Sequence, residues 1–304
     1  MFSLKKKILK LLNKEQYLIL KHNENLELKF KFYNKSLKKK ITNIDKILKK
    51  KKEINFSHSG HLGDLIYSLP VIKKISMKKK CNLFIKLNKK IDYHNSHPNK
   101  NIMITKKNFQ MLLPLLESQK YLTKINYYKK QKIDVDLDLF REMPFNIMFH
   151  SIRWYSHLTG TPVDMSQKFL NVKKNKKFKN KILILLTQRY RNNLINYKFL
   201  NKKKNIIFIG LINEFKELRV NIKNLKFYNF KNFLEMAEAI NSCKFFIGNL
   251  NFAFSLAEGL KVPRLLENSP DFPVVYPIGK NAYDFYHQIH FEKYFKMLDN
   301  NDYQ

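Results

Sequence analysis

The feature that most constrains the fold of this 304-residue chain is a repeated order of short apolar runs and amphipathic segments. Residues 54–57 have the pattern of a buried strand, residues 59–63 that of a turn with two glycines, and residues 64–75 that of a helix. Strands that alternate with helices indicate parallel sheets, so we predict an α/β fold. Further strands are predicted at residues 82–87, 102–104, 133–140, 181–186, 205–209, 245–249 and 262–266, and further helices at 108–116, 232–242 and 252–260.

The same order occurs on both sides of residues 154–180, where the periodicity is lost and lysines accumulate. We therefore predict two Rossmann-like domains, residues 53–175 and 176–304, with parallel sheets facing a central cleft. Residues 1–52 form a basic N-terminal extension. In it we predict helices up to residue 13 and over 41–52, note alternating residues at 26–33, and find no pattern of catalytic residues.

The formal charge of +35 raises the question of an anionic partner. Only six of the 59 basic residues are arginines, the residue type that binds phosphates and bases through a bidentate fork, so we do not expect nucleic acid. Two explanations of the lysine excess stay open. One is the compositional bias of an AT-rich genome; the other is a partner such as a nucleotide sugar, an anionic glycan or a membrane surface.

Cysteine usage and the N-terminus bear on the compartment of the protein. Cys81 and Cys243 belong to no paired-cysteine spacing, and no apolar run approaches the roughly 20 residues that cross a bilayer. Lysines interrupt the first twelve residues as they would not in a signal peptide. We predict a cytoplasmic protein. An apolar stripe near the N-terminus either packs on its own domain or makes a peripheral contact with an anionic membrane; it comprises Phe2, Leu4, Ile8, Leu11 and Leu12.

The first candidate site lies in the loop and helix that follow the strand at 54–57. Ligands of open parallel sheets bind at the carboxyl ends of the strands. Asp64 opens the helix there, and its carboxylate either faces the cleft or caps the helix. His58 and His61 in the loop are further candidates for the cleft, as is Arg141, which ends the predicted strand at 133–140.

Residues 61–70, HLGDLIYSLP, resemble the N-terminal signature of the ADP-heptose lipopolysaccharide heptosyltransferases of glycosyltransferase family nine, in which Leu-Gly-Asp is followed by four residues and Leu-Pro. The resemblance implies a GT-B fold, a nucleotide-sugar donor and inversion at the anomeric carbon, with Asp64 as the catalytic base. An inverting transfer needs such a base to take the proton of the acceptor hydroxyl. The resemblance implies no metal and no cofactor besides the donor. It puts the acceptor, and with it His58, His61 and Arg141, on the N-terminal domain.

Residues 246–263 resemble the C-terminal strand, small polar turn and Ala-rich helix of the same family. A helix N-terminus behind a strand suits a diphosphate, so Asn249 and Asn251 are candidate donor-binding residues. The family usually has Asp-Ser-Gly followed by His in this turn, where this chain has Leu250, Asn251 and Phe252.

Two arginines follow the first strand of the second domain. Arg189 or Arg191 could neutralise the leaving diphosphate, or form a surface salt bridge. Glu214, Glu258 and Glu267 follow strands or helices of the same domain, and each either binds the donor ribose or is structural.

The sequence thus predicts a metal-independent inverting glycosyltransferase that moves a sugar from a nucleotide donor to a glycan or lipid-linked acceptor. The alternative is a catalytically inactive GT-B-like protein that binds a glycan or nucleotide. The altered turn at 250–252 favours this alternative, and Asp64 argues against it. A nucleic-acid-binding protein would need lysines interleaved with aromatic residues, and the sequence has no such motif.

Overall fold

The computed structural model describes residues 2–91, 101–143, 149–270 and 272–300. The strands of the first sheet are β1 Glu53–His58, β2 Lys80–Ile85, β3 Lys124–Tyr127 and β4 Val135–Asp136. Those of the second are β5 Ile182–Leu185, β6 Ile206–Phe208, β7 Lys226–Phe227, β8 Phe245–Gly248, β9 Arg264–Glu267 and β10 Ala282–Phe285. Every pairing between these strands is parallel, as predicted.

Helices connect the strands of both sheets, which confirms the predicted α/β fold. The α-helices are α1 Phe2–Leu12, α2 Lys14–Phe32, α3 Lys38–Lys50, α4 Leu62–Ser76, α5 Lys106–Glu117, α6 Ser151–Thr159, α7 Ile212–Asn221, α8 Phe233–Ile240, α9 Phe252–Leu260 and α10 Gln288–Asn300. No helix within the described ranges is long and apolar enough to span a membrane.

The strand order creates one point of reversal in each sheet. The second sheet runs β10-β9-β8-β5-β6-β7, the order of a Rossmann fold, and reverses between β5 and β8. The first runs β3-β2-β1-β4 and reverses between β1 and β4. Loops diverge at such a point and leave a crevice beyond the carboxyl ends of the strands, where ligands of this architecture bind.

Apolar packing joins the two halves through α4 and α9. Leu65 and Leu69 of α4 and Ala253 and Phe254 of α9 are buried in one continuous cluster. A second cluster covers the other face of the second sheet. Because α4 follows β1 and α9 follows β8, this contact brings the two points of reversal together. The domain boundary at residue 175 stays a prediction.

Two local predictions are wrong. The strand predicted at 133–140 ends at Asp136, and a 3-10 helix follows over Leu137–Glu142, because the Asp136 side chain accepts a hydrogen bond from the Asp138 N–H at 3.2 Å. The predicted strand at 102–104 is reduced to an antiparallel bridge between Lys90 and Ile102. The alternating residues at 26–33, to which no element was assigned, lie mostly on α2.

Candidate active site

The loop between β1 and α4 is shaped by Gly60. Its φ of +103° is a conformation that favours glycine, and a Cβ atom there would lie 2.7 Å from Cγ1 of Ile104. The chain therefore turns sharply beyond β1, and α4 begins at Leu62 with Asp64 in its first turn. This turn brings Asp64 to the reversal point of the first sheet.

Asp64 forms an ion pair with Arg141 of the 3-10 helix that follows β4. Arg141 Nη2 donates to Asp64 Oδ2 at 3.0 Å and to the carbonyl oxygen of Gly60 at 2.5 Å, while Nη1 donates to Asp138 Oδ1 at 2.8 Å. The side chains of Asp64 and Arg141 are 19% and 23% exposed. Arg141 thus holds the loops after β1 and β4 together and leaves the aspartate accessible.

His58 is a buried side chain that stabilises this loop. It does not line the cleft, contrary to the sequence-based assignment. Its side chain is fully buried, and burial lowers its pKa from 6.5 to about 4, so the ring is neutral at pH 7. Nδ1 accepts the Gly60 N–H at 2.8 Å, so the proton resides on Nε2, which lies 2.9 Å from the Tyr155 hydroxyl oxygen.

His61 lies near charged residues of both halves of the protein. The ring is half-buried, and burial lowers its pKa. Asp64 opposes this effect, whereas Arg141 from the first half and Arg189 from the second half both add to it. The residue before α4 therefore lies within electrostatic reach of an arginine at the end of β5.

Arg189 is a half-buried cation just beyond β5. Its guanidinium carbon lies 5.3 Å from the centroid of the Tyr190 ring. Among the described residues no carboxylate forms an ion pair with it. A half-buried arginine that forms no ion pair at this end of a parallel sheet is suited to bind an anion.

Glu214 lies close enough to Arg189 for the two charges to interact. It is half-buried in the first turn of α7, where Oε2 accepts the Leu211 N–H at 3.2 Å. Burial raises its pKa, and the Leu211 hydrogen bond and Arg189 act in the opposite direction. Its other carboxylate oxygen remains for a hydroxyl donor.

Arg191 and Glu267 bind each other, which argues against their predicted contacts with the donor. Glu267 is fully buried and accepts from Arg191 Nε at 2.9 Å, from the Asn192 N–H at 2.7 Å and from the Tyr197 hydroxyl. Burial lowers the pKa of Arg191, but the neighbouring Glu267 outweighs it and the net shift is upward. This group fixes the loop after β5 to the end of β9.

Asn249 and Asn251 also bond to the protein and not to open space. Asn249 is fully buried; its Oδ1 accepts the Thr187 N–H at 2.9 Å and its Nδ2 donates to the Thr187 carbonyl at 2.8 Å. Asn251 caps α9 by accepting the Phe254 N–H at 2.9 Å, and donates to the Leu185 carbonyl at 3.0 Å. Their hydrogen bonds to the backbone therefore stabilise the loop that was predicted to bind the diphosphate.

Glu258 is structural as well, contrary to its candidacy as a ribose ligand. It is fully buried in α9, where Oε2 accepts from Nε of the equally buried Arg264 at 2.6 Å and Oε1 pairs with the Lys261 ammonium. Neither oxygen is available to a ligand.

The residues that face the reversal points are therefore Asp64, His61, Arg141, Arg189 and Glu214. Sequence reasoning missed two lysines at the end of β2: Lys86 Nζ lies 2.7 Å from Asp136 Oδ2, and Lys86 and Lys89 lie 3.9 and 3.8 Å from Asp138 Oδ2. Their position after a buried strand was the available signal.

Within the described residues no three His, Cys, Asp or Glu side chains form a group that could hold a metal ion; metal independence stays a prediction.

Comparisons with known proteins bear on the fold. No protein-family model and no curated protein sequence matches the chain. The structure of a family 9 glycosyl transferase from Veillonella parvula DSM 2008 is similar over 81% of this chain and 89% of that chain, with 12% identity and a TM-score of 0.53. The GT-B-like class and the likeness to glycosyltransferase family nine are thereby confirmed at the level of the fold.

Two Escherichia coli structures are also among the neighbours. Heptosyltransferase WaaC with ADP-2-deoxy-2-fluoro heptose has 13% identity and a TM-score of 0.46 over 77% of this chain and 92% of that one. ADP-heptose lipopolysaccharide heptosyltransferase II has 10% identity and a TM-score of 0.47 over 83% and 99%.

Proposed function

We propose that the chain is an inverting glycosyltransferase that takes a sugar from a nucleotide-activated donor and transfers it to a glycan or lipid-linked acceptor. The observation that carries the proposal is the convergence of two kinds of group. An accessible carboxylate, Asp64, opens a helix at one reversal point, and an unpaired arginine, Arg189, follows β5 at the other, with His61 within reach of both charges.

The donor side is built around Arg189 and Glu214. A nucleoside diphosphate carries several negative charges, and a half-buried guanidinium binds such oxygens in a bidentate manner. Glu214, at the start of the helix after β6, has a carboxylate oxygen left to accept a hydrogen bond from a ribose hydroxyl. The N-terminus of α9, shaped by Asn249 and Asn251, adds the favourable end of a helix dipole.

In the transfer, Asp64 removes the proton of the acceptor hydroxyl. The acceptor oxygen then attacks the anomeric carbon with the electron pair of the broken O–H bond. The bond between that carbon and the nucleoside diphosphate breaks, and its electrons remain on the leaving phosphate oxygen. Arg189 offsets the charge of that leaving group. Arg141 holds Oδ2 of Asp64, which leaves the other oxygen for the acceptor.

A catalytically inactive binding protein is the second candidate. It is favoured by the turn at 250–252 and by the hydrogen bonds around it, since the amide groups of Asn249 and Asn251 are occupied by protein partners. Such a protein would bind a nucleotide or glycan in the same cleft without turnover.

A binding and turnover screen with a panel of nucleotide sugars tests the proposal. We expect one nucleotide family to stabilise the protein and its sugar nucleotide to be consumed. Arg189→Met should weaken donor binding about 10- to 100-fold, the value of a charge-assisted hydrogen bond. The matched variant Arg219→Met, on the exposed surface of α7, should bind like wild type. Binding without consumption would favour the second candidate, and equal affinities in the two variants would refute the assignment of Arg189.

A further inference from the structure

The N-terminal arm, defined here as α1 and α2, exposes an unusual amount of apolar surface. Ten of the nineteen large apolar side chains that are exposed in the described residues lie between residues 8 and 32. Helix α2 has no buried residue over its 19 positions. Large exposed apolar surfaces mark sites of interaction in soluble proteins, so this arm is the surface on which an inference about a partner can rest.

The apolar surface of α1 is a continuous face. Ile8, Leu11 and Leu12 follow one another at helical spacing, and their side chains are 47%, 86% and 81% exposed. Lys7 and Lys10, three positions apart, are exposed along its border. An apolar face bordered by lysines is typical of helices that lie in the interface of a bilayer.

Contacts within the arm orient this face outward. Lys6 Nζ forms an ion pair with Glu24 of α2 at 2.6 Å, and Lys10 Nζ lies 5.9 Å from the centroid of the Tyr17 ring. These contacts hold α1 on α2 through its polar side, and the leucines stay exposed. Helix α2 adds its own exposed stripe of Ile19, Leu26 and Phe30, which lie seven and four residues apart.

The charge of the extension favours an anionic lipid surface over other partners. Residues 1–52 contain seventeen lysines, four acidic residues and no arginine. Two copies of so basic an arm repel each other, which disfavours self-association. Nucleic-acid binding would leave the leucines of α1 exposed, and the arm has none of the arginines that such sites favour. A negatively charged bilayer satisfies both the lysines and the apolar face.

We propose that the N-terminal arm lies on an anionic membrane surface, with Ile8, Leu11 and Leu12 inserted at the boundary of headgroups and acyl chains. The arm continues into α3, whose Lys40 forms an ion pair with Glu142 at 2.7 Å, next to Arg141. If the proposed function holds, this attachment brings the acceptor side of the cleft to the membrane. The membrane contact itself does not depend on that function.

Co-sedimentation of the full chain with vesicles, without donor or acceptor, tests the proposal. Vesicles of phosphatidylcholine and phosphatidylglycerol should bind the protein, and vesicles of phosphatidylcholine alone should bind it far more weakly. Leu11→Ser combined with Leu12→Ser should lower the partition coefficient at least about tenfold. Lys7→Gln should lower it about fivefold. The matched control replaces Val220 and Ile289, 79% and 74% exposed on α7 and α10, by serine and should bind like wild type.

Three results would overturn the proposal. The first is wild-type protein that stays in solution with the anionic vesicles. The second is equal binding of the Leu11→Ser/Leu12→Ser variant and the control. The third is a dimer of the wild type that this variant dissociates, since the apolar face would then be covered by a second copy. Because none of these measurements uses a nucleotide sugar, a failure here is distinct from a failure of the proposed function.

Discussion

Substitution of Glu258 should lower the stability of the protein, whereas substitution of Glu214 should weaken donor binding. Glu258→Gln keeps the shape of the side chain but leaves Arg264 buried without its anion; both residues are 0% exposed. Breaking a buried ion pair from one side costs about 3–5 kcal/mol. Burial already lowers the pKa of Lys261, against the effect of Glu258, so Lys261 can release its proton in the variant, whereas an arginine cannot. We therefore expect Glu258→Gln to lower the free energy of unfolding by about 3 kcal/mol, the lower end of this range.

Urea unfolding measures this loss, and nucleotide affinity is measured on the same samples. Glu27→Gln, a change in a side chain that is 72% exposed, should stay within about 0.5 kcal/mol of wild type. Glu214→Gln should unfold nearly like wild type but bind the donor about 10-fold more weakly. The reasoning is refuted if Glu258→Gln is as stable as wild type and instead loses donor affinity, because Glu258 would then face the ligand.

Three further predictions concern two buried histidines, Gly259 and Arg141. His58 and His150 have pKa values lowered by burial from 6.5 to about 4, so the unfolded chain binds more protons between these values. The free energy of unfolding should fall as the pH drops from 6.5 to 4, by roughly 2–3 kcal/mol per unit in mid-window from these two groups, and His58→Gln should remove about half of that slope. Gly259→Ala would place a Cβ 2.7 Å from Leu170 Cδ1 and should cost about 1–3 kcal/mol, less in a Leu170→Ala background; additive losses in urea unfolding would contradict this. Arg141→Gln should slow transfer at least about 10-fold at unchanged donor affinity in steady-state kinetics, and an unaltered rate would remove Arg141 from the site.

The sheet architecture was predictable because its central strands are buried on both faces. β5, β8 and β9 are entirely buried, and β5 and β8 appear in the sequence as uninterrupted runs without a polar residue. In β9, only Leu265 and Leu266 between Arg264 and Glu267 carry this signal. Short strands at the edges carry less signal. β7 spans only Lys226–Phe227 and β3 is at most half-buried, and neither was predicted.

The candidate site was predictable by position but not by pairing. The location of Asp64 and Arg189 beyond β1 and β5 follows from the strand–loop–helix order alone. Glu267 forms an ion pair with Arg191, 76 positions away in the sequence. This pairing depends on which loops are adjacent in the folded protein. An isolated charge in a sequence is therefore equally compatible with a ligand contact and an internal ion pair, and only the three-dimensional contacts separated Arg189 from Arg191.

The most direct test of the central claim compares wild type, Asp64→Asn and Asp45→Asn in a transfer assay with the nucleotide sugar that the screen identifies. Asp45 is a matched control, since its side chain is 56% exposed on α3. We predict that Asp64→Asn lowers the transfer rate about 10²- to 10⁴-fold, as expected for loss of a general base, while donor affinity is kept and Asp45→Asn is fully active. Transfer by Asp64→Asn at the wild-type rate would contradict the account.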